Sequence, residues 1–295
     1  MNAATDTMDP GTVALAVAIG EARRRLQTVA GDCAGLEASL LLGRVSGLNR
    51  AAQLASPELP LTASVLTAFR HLVDQRDLGN PIAHLLGERE FWGLTLEVTP
   101  AVLIPRPETE LLVETALRTL PRDASVDILE LGTGSGAIAV ALAVERPAWR
   151  IIATDVSTPA LAVSRRNIDR HGADNVTLRQ GDWFAAAGDE RFDAVLSNPP
   201  YIAARDPHLR RGDLRFEPEE ALAAGEDGLA ALRQIVAAAP THLKPGGWLI
   251  LEHGYDQQPA VGGLLHDAGF NEVCCLSDLA GQPRCTVARL GEATA

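Results

Sequence analysis

Three groups of residues stand where short apolar runs give way to polar turns, and their types define the chemistry open to the chain. In the first, Glu130-Leu131-Gly132-Thr133-Gly134-Ser135-Gly136 follows an apolar run and opens the apolar stretch Ala137 to Val144. Glycines leave such a backbone free to approach a ligand, and the N–H groups of a helix start attract the phosphates or polar groups of a nucleotide-like cofactor. Gly132, Gly134 and Ala137 also satisfy the looser dinucleotide pattern, so the loop alone leaves the cofactor open. In the second group, Asp155 ends the next apolar run, about 20 residues on, where a carboxylate can hold both ribose hydroxyls. NAD and S-adenosylmethionine share that requirement, and an ordinary helix cap would use the same residue type. Gly181-Asp182-Trp183-Phe184, after a further run, offers an acid and an aromatic surface for an adenine.

The third group is the most informative. Asp193-Ala194-Val195-Leu196-Ser197 runs straight into Asn198-Pro199-Pro200-Tyr201. Pro199 and Pro200 fix φ and donate no N–H, so the turn presents carbonyl acceptors, to which Asn198 adds a side-chain oxygen and Tyr201 a flat ring. Such a surface suits a planar group carrying NH₂. Its two hydrogens would meet the Asn198 side-chain oxygen and the Pro199 carbonyl, aiming the nitrogen lone pair outward while Tyr201 covers the planar face.

These turns need elements to carry them. Up to about residue 80 the pattern is helical, with Leu15, Ile19, Ala22, Leu26 and Val29 on one face, a second segment around Leu36 to Leu42, and a third that Thr62 caps and that stops near Gly79-Asn80-Pro81. Alternation from Phe91 to Val98 predicts a β-hairpin or a pair of short strands. After Ile104-Pro105-Arg106-Pro107 and a helix from Glu108 to about Leu120, strands are predicted at 126–131, 150–154, 176–180, 192–197, 248–252, 272–276 and 284–290, with helices near 137–145, 158–171, 226–239 and 256–268. This rhythm implies a mostly parallel α/β sheet covered on both faces, whose ligands sit beyond the carboxyl ends of its strands.

Composition narrows the function. The 295 residues are 46% hydrophobic, enough for a sizeable core in about two domains, and Gly and Pro together are too few for a low-complexity chain. A net charge of −12 disfavours nucleic acid as a partner. Cys33, Cys274, Cys275 and Cys285 show no zinc-type spacing, so no metal is expected and the thiols read as reduced, in a cytoplasmic setting. The early apolar stretch Val13 to Ile19 is too short to span a bilayer, and neither secretion nor a membrane partner is expected.

With glycine loop, Asp155 and Asn198-Pro199-Pro200-Tyr201 in this order, the sequence resembles the class I S-adenosylmethionine-dependent methyltransferases of planar amino groups. Phe91-Trp92-Gly93, the run Val102-Leu103-Ile104-Pro105-Arg106-Pro107-Glu108-Thr109-Glu110, and Arg215-Phe216-Glu217-Pro218 sharpen this to the PrmC/HemK family. The resemblance covers nearly the whole chain. It implies methylation of the glutamine in the Gly-Gly-Gln motif of peptide chain release factors, and a Rossmann-like seven-stranded sheet whose last strand is antiparallel, behind an N-terminal helical bundle. It also implies a helical substrate-recognition domain at 1–85, a hairpin linker at 86–108 and a catalytic domain at 109–295. Gly132, Thr133, Gly134, Ser135, Gly136, Asp155, Trp183 and Asn198 would surround S-adenosylmethionine, and Asn198, Pro199, Pro200 and Tyr201 the glutamine. Glu130, where Asp is common, and His253, where an apolar residue is frequent, depart from the family pattern. Arg205, Arg210, Arg211 and Arg215 line the approach for a protein loop or form a solvated face; Arg106 and Glu108 receive no chemical role. Methylation of adenine or guanine amino groups uses the same planar NH₂ and is the nearest rival. An NAD-dependent oxidoreductase would leave Asn198 to Tyr201 without a task, and a non-catalytic binding module would use neither element fully.

Overall fold

Apolar runs of five or six residues bounded by polar turns favour strands, and longer stretches with apolar residues every three or four positions favour helices. In the computed structural model, which describes residues 12–122 and 124–292, both patterns are realised. The chain divides into two compact units, Met1–Gly87 and Glu88–Ala295.

The smaller unit is helical. It contains β1 (Val13–Ala14), α1 (Leu15–Ala30), α2 (Ala34–Ser46), α3 (Arg50–Ala55), β2 (Pro60–Leu61), α4 (Ala63–Asp77) and α5 (Ile82–Leu86). Leu15, Ala22 and Leu26 of α1 pack with Leu41 and Leu42 of α2 and with Phe69 and Val73 of α4. The Thr62 hydroxyl accepts from the Val65 N–H, capping α4 as its position predicts. A buried pair braces the bundle: the Arg76 guanidinium grips both Glu37 oxygens at 2.7 and 3.1 Å. Periodicity did not reveal the short α3 and α5 or the two-residue β1–β2 pairing, because such pieces are too brief to show a period.

The larger unit opens with the hairpin β3 (Glu88–Phe91) and β4 (Leu94–Glu97). Its turn sits inside the predicted alternation, at Trp92-Gly93, both with positive φ (54° and 70°) as a two-residue hairpin turn demands. Trp92 is held in this unfavourable region while its N–H donates to Glu110 at 2.8 Å. Then follow α6 (Glu110–Thr119), β5 (Asp127–Leu131), α7 (Ala137–Glu145), β6 (Arg150–Asp155), α8 (Thr158–His171), β7 (Val176–Gln180) and β8 (Phe192–Ser197). The unit ends with α9 (Ala230–His242), β9 (Leu243–Glu252), α10 (Gln258–Asp267), β10 (Phe270–Ser277) and β11 (Pro283–Leu290).

The seven strands β5 to β11 form one sheet in the order β10-β11-β9-β8-β5-β6-β7, with only β11 running against its neighbours. Two apolar layers cover its faces. On one, α6 and the almost wholly apolar α7 pack over Ile128, Ile151 and Leu196; on the other, α9 and α10 cover Leu129, Ile152, Leu249 and Leu251. Among the described residues, no helix is long and apolar enough to cross a membrane.

Asn167 of α8 fastens the hairpin to the loop after β5. Its oxygen accepts from the Glu97 N–H at 2.7 Å, and its nitrogen donates to the Glu97 and Ser135 carbonyls, both at 2.9 Å. The side chain is fully buried, so Asn167→Ala leaves three backbone groups without partners. A stability loss of about 3 kcal/mol in urea unfolding is expected. A loss below about 1 kcal/mol would contradict this fastening role.

Candidate functional site

The parallel ladders determine which residues meet at the carboxyl edge of the sheet. Leu131 pairs with Thr154 on one side and Ser197 on the other, and Ser197 pairs with Leu251. The next residues along the chain, Asp155, Gly132, Asn198 and Glu252, therefore form a row, neighbours about 4.8 Å apart in the strand-to-strand direction. The Ser197 hydroxyl donates to the Leu131 carbonyl at 2.8 Å and locks the two central strands at this edge.

The loop between β5 and α7 runs through Gly132, Gly134 and Gly136, all with positive φ (71°, 56° and 82°), which a side chain would oppose. A Cβ on Gly136 would also press on Ser164 at 3.3 Å. The Thr133 N–H donates to the Thr154 carbonyl, and the Ser164 hydroxyl to that of Gly134. Asp155 completes the loop: its carboxylate accepts from the Gly134 N–H at 2.9 Å and the Ser157 N–H at 2.8 Å. It thus braces the loop and starts α8 together. Trp183, held at φ 44°, brings its ring beside Gly132, where a Cβ would lie 3.8 Å from Cζ3. Phe184 points instead into the core, stacked on His242 at 4.5 Å, and Asp182 stays exposed.

Of the two acids beside the glycine loop, Glu130 is buried and Asp155 half-buried. Glu130 takes the Thr133 hydroxyl on Oε2 at 2.9 Å, while its Oε1 has no hydrogen bond. Burial, reinforced by the Asp155 charge, raises its carboxyl to about 8, against the Thr133 hydroxyl and the Ala139 amide. Burial also raises Asp155, opposed by the Ser157 and Gly134 N–H groups. Desolvated carboxylates beside a glycine loop suit a cationic group and hydroxyls. S-adenosylmethionine carries an ammonium, a sulfonium and two ribose hydroxyls, so these residues fit it. Glu130 escaped the sequence reading as a site residue, although its place two positions before Gly132 was a usable signal.

Across the Leu131–Ser197 junction lies the turn Asn198 to Tyr201. Pro199 is buried, and Asn198, Pro200 and Tyr201 are half-buried. The Asn198 Nδ2 group donates to the Thr109 hydroxyl at 3.0 Å, which leaves its Oδ1 as the free end. The Tyr201 hydroxyl donates to Glu252 Oε1 at 3.2 Å, and Gln257 holds the Tyr201 carbonyl at 2.9 Å. Burial and then the Glu252 charge push the Tyr201 phenol well above its ordinary range. Burial likewise raises Glu252 to about 7, although Thr109, Tyr201 and Arg284 favour its charged form. Sequence reading gave Thr109 and Glu252 no role, since nothing local marks their contact with the turn.

Arg106 and Glu217, from two of the motifs that carried the resemblance, form an ion pair at 2.5 Å with the Glu217 side chain fully buried. Beyond it, Arg205, Arg210, Arg211 and Arg215 line a cavity of about 710 Å³ that also takes in Asp206 and Glu219. These arginines are therefore grouped around a concave surface, mixed with acids.

A parallel sheet with one reversed strand, a glycine loop after its first strand, an acid ending the second and the buried Glu130 beside that loop define a class I S-adenosylmethionine-dependent methyltransferase. Comparison with known proteins agrees. The family described as Methyltransferase small domain matches residues 107–211, and PrmC N-terminal domain matches residues 18–87. The chain is 50% identical to a release factor glutamine methyltransferase of Xylella fastidiosa over 86% of its own length and 92% of the relative's. It is 48% identical to that of Coxiella burnetii over 87% and 92%. A methyltransferase structure from Pyrococcus furiosus shares the fold at a TM-score of 0.50 and 22% identity, covering 68% of this chain and 90% of the other. The chain belongs to the release factor glutamine methyltransferase family.

The raised Glu130 carboxyl has a consequence for stability. In the ligand-free native state it keeps its proton to about pH 8, whereas its ordinary value is 4.5. Between these values the native state binds more protons than the unfolded chain, so stability falls as pH rises through the window. Glu130→Gln removes that component, and unfolding of the ligand-free variant followed across the window should show a shallower decline than the parent. An unchanged slope would contradict the buried-acid assignment.

Proposed function

We propose that this chain moves the methyl group of S-adenosylmethionine to the side-chain amide nitrogen of the glutamine in the Gly-Gly-Gln motif of peptide chain release factors. The observation that carries the reading is the polarity of the turn after β8: Asn198 has its Nδ2 engaged by Thr109, so Oδ1 and the Pro199 carbonyl offer acceptors alone. A primary amide, with two N–H donors on one nitrogen, is the complement of that surface.

When bound, S-adenosylmethionine supplies an electrophilic methyl on a sulfonium sulfur. On this reading the Gly132 to Gly136 backbone, Asp155 and Trp183 hold it, with Glu130 facing its cationic part. An amide nitrogen is a poor nucleophile because its lone pair is delocalised into the carbonyl. Asn198 and Pro199 fix the two N–H groups and thereby aim the nitrogen, and their hold strengthens as it pyramidalises and gains positive character. The N–C bond forms as the C–S bond breaks, and the acidified N–H proton leaves to water. Pro200 stiffens the turn, and Tyr201, anchored through Glu252, stands beside the amide plane. No side-chain base is required.

The helical unit is assigned to gripping the protein substrate, and the arginine-lined cavity to receiving part of its approaching loop. A cytoplasmic setting accords with four free thiols. The charge of −12 supports a protein rather than a nucleic-acid substrate.

Label transfer from S-adenosylmethionine to a purified release factor tests the reading, run beside a factor whose Gly-Gly-Gln glutamine is replaced and beside tRNA and DNA. Label confined to the intact factor is expected; label on nucleic acid would overturn the substrate assignment. In the same assay Asn198→Ala should lower kcat by about 10²- to 10³-fold, the loss of roughly 2.7–4 kcal/mol of transition-state stabilisation, with little change in cofactor affinity. Turnover near that of the parent would contradict the role given to Asn198.

A further inference from the structure

Two adjacent prolines leave the turn after β8 short of backbone donors, so it can do little to fasten itself. Its near end is held where the Asn198 side chain meets Thr109. At its far end the Tyr201 carbonyl is reached by the side chain of Gln257, the residue just before α10. The Gln257 Nε2 group donates to the Tyr201 carbonyl at 2.9 Å and to the Gly228 carbonyl at 3.3 Å, while Oε1 accepts from the Gly254 N–H at 2.9 Å. The Gln257 N–H returns to the Gly254 carbonyl at 2.9 Å. All three partners of the side chain are backbone groups whose donor and acceptor roles are fixed, so the amide has one orientation and no hydrogen to spare. Gly228 closes the joint from the other side: at φ 74° it lies so near that a Cβ would collide with the Tyr201 carbonyl and with Gln257 Nε2. One half-buried side chain thus ties together the turn after β8, the approach to α9 and the loop after β9.

We propose that Gln257 is a positioning residue for methyl transfer, fixing the far end of the turn that receives the substrate amide. The proposal rests on the glutamine-methylation reading of Asn198 to Tyr201. Gln257 touches no reacting atom on this account; it acts through the Tyr201 carbonyl. Pro199 and Pro200 have fixed φ, so a shift of the Tyr201 peptide travels back along a stiff turn and moves the Pro199 carbonyl with the Tyr201 ring. A displacement of about 1 Å at a reacting group is enough to cost about 10²-fold in rate. The Tyr201 hydroxyl on Glu252 restrains the tip of the ring and Gln257 restrains the backbone, so both ends of the residue are fixed. Gln257→Glu turns this joint into a titratable one. The neutral carboxyl has the shape of the amide and keeps one donor for Tyr201 and one acceptor for Gly254, whereas the ionised form loses the donor and sets a charge against carbonyl oxygens. The charged groups around it are Asp256, the preceding residue; Asp227, beside Gly228 and paired with Arg233; and Glu252, across Tyr201 and within the field of Arg284. Acids outnumber bases there, and the carbonyls oppose a charge, so the neutral form persists to a pH above the ordinary carboxylate range.

The test follows kcat with S-adenosylmethionine and a release factor against pH for the full chain, Gln257→Glu and Gln257→Leu, each divided by the parent's value at the same pH. The Gln257→Glu ratio should be highest at low pH and fall by about 10- to 100-fold as the introduced carboxyl ionises, with cofactor affinity and circular dichroism unchanged. Gln257→Leu has no donor at any pH and should stay low throughout. A Gln257→Glu ratio that is flat with pH, or a folded Gln257→Leu with parental kcat, would overturn the proposal; if Gln257→Leu does not fold, the Gln257→Glu ratio alone decides. A second readout needs no substrate. Tyr201 and Tyr255 are the chain's two tyrosines, so tyrosine labelled with ¹³C at the carbonyl gives two resonances in the free enzyme, told apart by Tyr255→Phe. Relative to the parent at each pH, the Tyr201 signal should move in Gln257→Glu over the range in which the rate ratio falls. An unmoved signal would refute the joint even if glutamine methylation is correct. Absence of label on the parent's release factor would instead count against the function reading, with the Tyr201 signal still deciding whether Gln257 holds the turn.

Discussion

The register of four adjacent parallel strands is the constraint on which the rest depends. Because β6, β5, β8 and β9 end level with one another, Asp155, Gly132, Asn198 and Glu252 emerge side by side without any long loop to place them. A slip of one residue in β8 would turn its side chains to the opposite face and move Asn198 off the edge. The apolar layers on both faces prevent that slip, since Val195 and Leu196 are each fully buried, on opposite sides. The Ser197–Leu131 hydrogen bond secures the last rung. Packing thus sets the glycine loop and the Asn198-Pro199-Pro200-Tyr201 turn one strand apart.

Along that edge the two buried acids serve different ends. Glu130 is desolvated with an oxygen left open, which costs stability in the empty site and creates an attraction for a cation. Glu252 is desolvated too, with its Oε2 lacking a hydrogen bond, and its Oε1 anchors the Tyr201 hydroxyl of the turn after β8.

Much of this was legible in the sequence, and the reason is local. Strands at 176–180 and 192–197 and helices at 137–145 and 158–171 have the observed limits because their apolar periods are interrupted by Gly, Asn or Pro at the ends. The turn after β8 declared its acceptor character because proline removes N–H groups wherever it occurs. The partners of that turn were not legible. Thr109 lies 89 residues before Asn198, and Arg106 lies 111 before Glu217, so only the fold brings them together. The place of the turn within 91–98 was not legible, because tryptophan rarely takes positive φ and the Glu110 that holds the Trp92 N–H lies outside the hairpin. β9 begins at Leu243, earlier than predicted, since Lys244-Pro245-Gly246-Gly247 carries no alternation.

The central claim is that the turn after β8 receives a primary amide through acceptors alone. A crystal structure of this chain with S-adenosylhomocysteine and a release factor bearing its Gly-Gly-Gln loop tests it most directly. The account predicts the glutamine nitrogen within hydrogen-bond distance of Asn198 Oδ1 and the Pro199 carbonyl, with the remaining face of the nitrogen turned to the sulfur. A glutamine whose carbonyl oxygen lies against Asn198, or whose side chain sits outside the turn, would contradict it.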